Sequence, residues 1–194
     1  YSDLIVGAVE TLNYQYDISD GQGGTVAGSF TFTVTGVNSS PTNSPIIFSA
    51  TDNDASTSID LLQNASDLDP LIVTNLVLES GNNVGVTLLG SSLDVDFSQY
   101  DGLQVGDSEV LFYRYNVDDS VGGVAVGGVT ITIDGANDLS TSNNTTIAAT
   151  EDTTHVFGVD DFGFTDIDVT DQLERITVTT LSLTGSLELN GIAV

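Results

Sequence analysis

The sequence has no cysteine, no lysine and only two arginines, and each absence removes a class of function. Without cysteine there is no disulfide, no thiol catalysis and no thiolate metal site. Arg114 and Arg175 cannot neutralise a run of phosphates, which argues against nucleic acid and anionic membrane surfaces as partners. The single histidine, His155, has no second His or Cys with which to build a zinc site. No apolar run approaches the ~18 residues of a membrane helix, so no membrane insertion is expected, and no signal peptide is visible. There is no G-x-S-x-G context for a serine nucleophile. Carboxylate pairs abound, but nothing singles one out as general acid and base, so a non-catalytic protein is expected.

What the chain has in quantity is acid. Its 28 Asp and Glu residues set a net charge of −26 over 194 residues. Such a charge often accompanies disorder, but a hydrophobic fraction of 40% and regular apolar–polar alternation point to a foldable chain. Acid carried on a foldable chain is explained by cation binding, by a saline habitat, or by both.

The chain also repeats itself. Residues 1–38 return at 100–137 without a gap, with 16 identities in 38 positions, among them Tyr14/Tyr113, Tyr16/Tyr115, Asp20/Asp119 and Asn38/Asn137. The shift of 99 residues is about the length of one small domain. Asp67 and Asp69 fall 99 residues before Asp166 and Asp168, so the offset persists into the last part of the chain.

The periodicity is that of strands. Ser29–Thr35, Leu111–Val117 and Val129–Asp134 alternate large apolar residues with small or polar ones, as strands with one buried face do. Asp20-Gly21 and Gly23-Gly24, like their counterparts at 118–123, mark hairpin turns. Seven strands are expected near 46–51, 58–66, 71–79, 84–89, 92–97, 109–118 and 124–134, with a loop and one helical turn over 98–107. Ile147–Thr150 and Ile176–Leu183 read as the first and third strands of a further repeat. The fold class predicted is all-β: tandem seven-stranded antiparallel β-sandwich domains of immunoglobulin-like or cadherin-like type. Residues 1–38 are the C-terminal part of one repeat, 39–138 a complete repeat and 139–194 the N-terminal part of a third.

In such a sandwich successive loops alternate between the two ends. Asp67, Asp69, Asp118 and Asp119 then gather at the end where the chain enters the complete repeat, and Asp52 and Asp54 at the end where it leaves. Ca²⁺, which takes 6–8 oxygen ligands, suits such clusters better than Mg²⁺ or a transition metal. Each of these acids also has a simpler reading, because Asp is common in turns for its backbone hydrogen bonds.

These residues carry a family resemblance. Tyr14–Gly24, Thr33–Asn38, Leu93–Asp96, Tyr113–Tyr115, Glu151–Thr153 and Phe162–Asp168 together resemble bacterial cadherin-like repeats of the VCBS type, found in large secreted adhesins. The resemblance implies Ca²⁺ at the junctions between repeats, with Asp166 and Asp168, and likewise Asp67 and Asp69, as a D-x-D pair in the entry loop. Asn137 and Asp138 match the linker Asn-Asp, and Asp119 and Asp20 the acid of the hairpin loop. Ser39 stands where Asp138 stands in the second linker, so the first junction is expected to be the weaker or to be dry.

The function these readings imply is a non-catalytic, calcium-stabilised extender module of an adhesin, secreted or held at a bacterial cell surface. Its partners would be neighbouring repeats of the same protein. Two alternatives stand beside it. One is a carbohydrate- or protein-binding module, which requires an exposed aromatic patch. The other is a filament subunit in which the partial repeats at the two ends complete one another between copies, end to end.

Overall fold

The two longest hairpins come from the repeated sequence, and they are superimposable in register. In a computed structural model that describes residues 1, 3–181 and 184–193, β1 (Val9–Ser19) pairs with β2 (Thr25–Thr35). Ninety-nine residues on, a hairpin of the same length pairs Ser108–Asp118 with Val124–Asp134, and every residue pair is shifted by that one offset. The turns are set by Asp20 and Asp119, each of which accepts the backbone N–H groups two and four residues ahead.

Between the hairpins lie β3 (Thr42–Asn43), β4 (Ile46–Thr51), β5 (Thr57–Asp60), β6 (Ala65–Ser66), β7 (Ile72–Ser80), β8 (Val86–Leu89) and β9 (Ser92–Val95). A 3₁₀ turn over Phe97–Tyr100 leads to β10 (Ser108–Asp118) and β11 (Val124–Asp134). The strand expected over 58–66 is cut short at Asp60. The Asp60 carboxylate accepts the N–H of Leu62 and starts a turn, and Leu61 drops into the core fully buried. The other six expected strands are found within two residues of their expected limits, as β4, β7, β8, β9, β10 and β11.

The chain is all-β, with open sheets. One sheet has the order β4–β11–β10–β7, in which β4 runs parallel to β11 and the other pairs are antiparallel. A second has the order β5–β9–β8, and β3 pairs with β6. Both larger sheets feed one core. Ile46, Leu111, Tyr115, Val129 and Ile131 come from the first, and Ile59, Leu93 and Val95 from the second. Each such aliphatic side chain contributes on the order of 1.5–3 kcal/mol of burial.

Gly127 faces Tyr115 across the hairpin, and the Tyr115 ring folds over it, so that a Cβ there would lie 2.3 Å from the ring. This places the Tyr115 hydroxyl to donate to the Leu61 carbonyl at 2.8 Å. Gly28 and Tyr16 repeat the arrangement in the first hairpin.

The chain divides into two units, Tyr1–Ala136 and Asn137–Val194. The second carries two short strand pairings and a 3₁₀ turn among its described residues. Strand β12 (Thr141–Ser142) meets β13 (Phe164–Thr165), β14 (Glu188–Leu189) meets β15 (Ile192–Ala193), and a 3₁₀ turn spans Val159–Phe162. The β12–β13 pair is the β3–β6 pair shifted by 99 residues. The strands expected at 147–150 and 176–183 are not formed, since 147–150 and 176–181 carry no regular structure, while 182 and 183 lie outside the described residues. The reason is visible in the first unit. There, β4 is held by β11 and β7 by β10, whereas among the described residues no strand pairs with 147–150 or 176–181.

Burial, with Tyr113 and Glu109 nearby, pushes the Tyr100 phenol from the ordinary 10.0 up to about 12, and burial also raises Tyr113 and Tyr115. A phenol that holds its proton more tightly when folded contributes stability that is intact below the ordinary value. That stability is lost as the pH rises through the folded one. The first unit is therefore expected to unfold in step with Tyr100 ionisation between about pH 10 and 12, followed by absorbance at 295 nm and circular dichroism. A full phenol titration centred at pH 10 with the fold retained would contradict this.

Candidate metal centre

Asp119 lies at the tip of the β10–β11 hairpin, yet it is only 1% exposed. The entering segment covers it, with Ser40 and Pro41 packing on Gly123 beside the carboxylate and the Asn38 side chain lying against it. Oδ1 accepts the N–H groups of Val121 at 2.9 Å and Gly123 at 2.8 Å. Oδ2 is buried with no hydrogen-bond partner, as is Oδ1 of Asn38. Burial pushes this carboxyl up, but the backbone N–H groups and the Asn38 amide outweigh it and hold it below the usual carboxylate range. Asp20, the counterpart of Asp119, makes the same turn bonds in the open and is likewise lowered, chiefly by the N–H groups of Gln22 and Gly24.

The loop holding Asp67 and Asp69 starts where β6 pairs with β3, directly after the same entering segment. Asp69 is buried and donates its N–H to Asp67 Oδ1 at 2.9 Å. The entering segment is thus flanked by both loops, as the alternation of loops requires.

Asp52 and Asp54 mark the opposite end of the repeat. Asp52 is 1% exposed, and its N–H donates to the Asp134 carbonyl. Its Oδ1 accepts the N–H of Ala136 at 2.9 Å, while Oδ2 is buried with no partner. Asp54 is exposed and closes its own turn by accepting the Thr51 N–H at 2.7 Å. Asp96 sits at this end too, lowered chiefly by the Ser98 hydroxyl, with Ser56 bonded to the same carboxylate.

The second unit gathers its acids more closely. Asp168 is 2% exposed, accepts the N–H of Asp138 at 2.7 Å and donates its own N–H to Asp166 Oδ1 at 3.0 Å. The linker pair Asn137–Asp138 is thereby fastened to the D-x-D loop. Asp171, whose N–H donates to the Asp168 carbonyl, completes the cluster. Among the described residues, Asp166, Asp168 and Asp171 form the one group of three acids that each offer a carboxylate oxygen within 4.8 Å of the other two. Oxygens bound at ~2.4 Å on opposite sides of one Ca²⁺ ion are about that far apart, so one ion can reach all three.

Sequence reasoning missed Asp171. Ile72 stands at the equivalent position of the second repeat, so a search guided by the offset passes over it. The signal that could have found it is the further acid three residues beyond Asp168, inside the same loop. Asp67, Asp69 and Asp119 border one linker, but they do not draw together as the three acids of the second unit do. A scan against protein-family models finds no match for this chain, and no curated protein matches it in sequence.

Proposed function

We propose that this chain is a non-catalytic extender module of a secreted or cell-surface bacterial adhesin, built of tandem immunoglobulin-like or cadherin-like β-sandwich repeats, and that Ca²⁺ stiffens the segment entering each repeat. The observation that carries the reading is the convergence of Asp166, Asp168 and Asp171 on a volume one ion can fill, with the linker residue Asp138 bonded to the buried Asp168. The donors are all hard oxygens, which suits Ca²⁺ and not zinc or copper. Asp119 and Asn38 supply two further buried acceptor oxygens at the entry to the preceding repeat. The resemblance of the repeated motifs to VCBS-type domains supports the same reading.

The bound ion would neutralise carboxylates that otherwise repel in a chain of charge −26, and would fix the linker to the loop beside it. Binding to the folded state alone stabilises by RT ln(1 + [Ca²⁺]/Kd), or about 2.7 kcal/mol at a hundredfold excess over Kd.

Calorimetric titration with CaCl₂ tests this, together with hydrogen exchange in millimolar Ca²⁺ and in excess chelator. Ca²⁺ is expected to bind, to protect the amides of 137–139 and 166–171, and to extend the particle in small-angle scattering. Asp168→Ala is expected to abolish binding in the second unit. Identical exchange and scattering with and without Ca²⁺ would overturn the proposal.

A further inference from the structure

The second unit holds a group of side chains that the repeat does not account for. His155, the sole histidine of the chain, lies with Nε2 3.1 Å from Oδ2 of Asp161. The same oxygen accepts the N–H of Gly158 at 2.8 Å, and the Asp161 N–H donates back to the Gly158 carbonyl at 3.1 Å. Asp161 thus closes the 3₁₀ turn Val159–Phe162 from within, and Gly163, at φ 57°, ends it. The imidazole meets Phe157 edge-on at 4.9 Å, and Phe157 stacks on Phe162 at 5.9 Å. Ninety-nine residues earlier, these positions are held by Ser56, Ser58, Ile59, Leu62 and Gln63, so no residue of the group is repeated. The contacts join residues six or fewer apart, so the group depends only on its own stretch of chain.

The turn is fastened to the strand pair beside it. Ser142 Oγ donates to the Phe162 carbonyl at 2.9 Å, Thr145 Oγ1 donates to the Asp161 carbonyl, and the Asn143 N–H donates to the Gly163 carbonyl at 3.2 Å. Directly after Gly163, β13 pairs with β12. The His155 and Asp161 side chains are 34% and 23% exposed, so water screens their contact only in part. The other titratable groups of the turn and of the segment leading to it are Asp160, Asp152 and Glu151. All three are acids, and none would repel an imidazolium. Residues 141–145, which bond to the turn, are Thr, Ser and Asn and bring no charge.

We propose that His155 and Asp161 form a pH-sensitive latch, which tightens the 3₁₀ turn and its hold on the β12–β13 pair as the solution becomes mildly acidic. An ionised carboxylate only accepts hydrogen bonds, so a neutral imidazole holds Asp161 only in the tautomer that carries its proton on Nε2. Protonation places a proton on both ring nitrogens. Every imidazolium can then donate to Asp161, and the bond becomes charge-assisted. The Gly158 N–H, and after it the His155 side chain, hold the Asp161 carboxyl below its ordinary 3.8. A lowered carboxyl contributes stability that is complete above the ordinary value and is lost as the pH falls through the lowered one. The latch is therefore charged at both ends between about pH 4 and the region near 6.5, where histidine ordinarily takes its proton. Neither side chain belongs to the Asp166–Asp168–Asp171 cluster, so the latch works without a metal ion.

NMR of the full chain from pH 4.5 to 8.5, in excess chelator, tests the proposal apart from the calcium reading. Protection of the Gly158 and Asn143 amides, corrected for intrinsic exchange, is expected to rise roughly two- to fivefold as His155 takes its proton, the size of effect a partly screened ion pair supplies. The Gly158 amide shift is expected to follow the imidazole signals with one midpoint. His155→Gln keeps a neutral donor, and is expected to match wild type near pH 8 and to show no gain on acidification. Asp161→Asn keeps an acceptor without its charge, and is expected to separate the Gly158 shift from the imidazole signals. Unchanged melting of the first unit serves as the folding control for both variants. Protection that stays flat between pH 5 and 8 in wild type, or a gain that persists in His155→Gln, would overturn the proposal.

Discussion

Tyr115→Ala is expected to destabilise the first unit by about 3–5 kcal/mol, the range for removing a buried aromatic side chain, while Tyr16→Ala changes stability by no more than about 0.5 kcal/mol. The two tyrosines are the same residue at the same point of the repeat, over the same cross-strand glycine. Tyr115 is fully buried and its hydroxyl holds the Leu61 carbonyl, so truncation opens a cavity and leaves a buried acceptor unpaired. Tyr16 is 43% exposed, and truncating it mainly removes surface already in water. Urea unfolding measures both. Equal losses at the two positions would mean that the first hairpin is covered in the dilute chain.

The same contrast holds at the hairpin tips. Asp119→Ala is expected to lower the melting temperature of the first unit by roughly 5–10 °C, and Asp20→Ala by no more than about 1–2 °C. Both carboxylates accept two backbone N–H groups. At Asp20 water can take over that role, because the turn is exposed. Gly123 is buried beneath Ser40 and Pro41, so its N–H is left without an acceptor when the carboxylate is removed. Asp119→Asn keeps an acceptor oxygen and should recover most of the loss without Ca²⁺. Any stabilisation that Ca²⁺ adds to wild type at this end should be absent from the Asn variant, which separates the turn from the cation. Melting followed by circular dichroism, with and without chelator, resolves the four cases.

Much of the local architecture is legible in the order of residues. The 99-residue offset gives both hairpins and their common register, because pairing across a tight turn depends on neighbours in sequence and on the Asp and Gly that make the turn. The D-x-D loops are legible for the same reason, since Asp67–Asp69 and Asp166–Asp168 each close by a bond within three residues. Asp60 was harder to read. Its side chain competes with the sheet for the backbone of Leu62, and that competition ends β5 inside a stretch whose apolar pattern runs on.

What the sequence could not supply was the state of each repeated residue. Sequence determines that Tyr16 and Tyr115, Asp20 and Asp119, and the expected strands of the second and third repeats are alike. Burial decides that they differ, and burial depends on partners distant in the chain. β4 is a strand because β11 lies beside it, and residues 147–150 are not because no such neighbour lies beside them among the described residues. The hairpins needed only their own residues to form. Their faces, the edge strands and the gathering of Asp171 with Asp166 and Asp168 were decided by tertiary structure, because a non-local contact exists only where the chain has brought its other half.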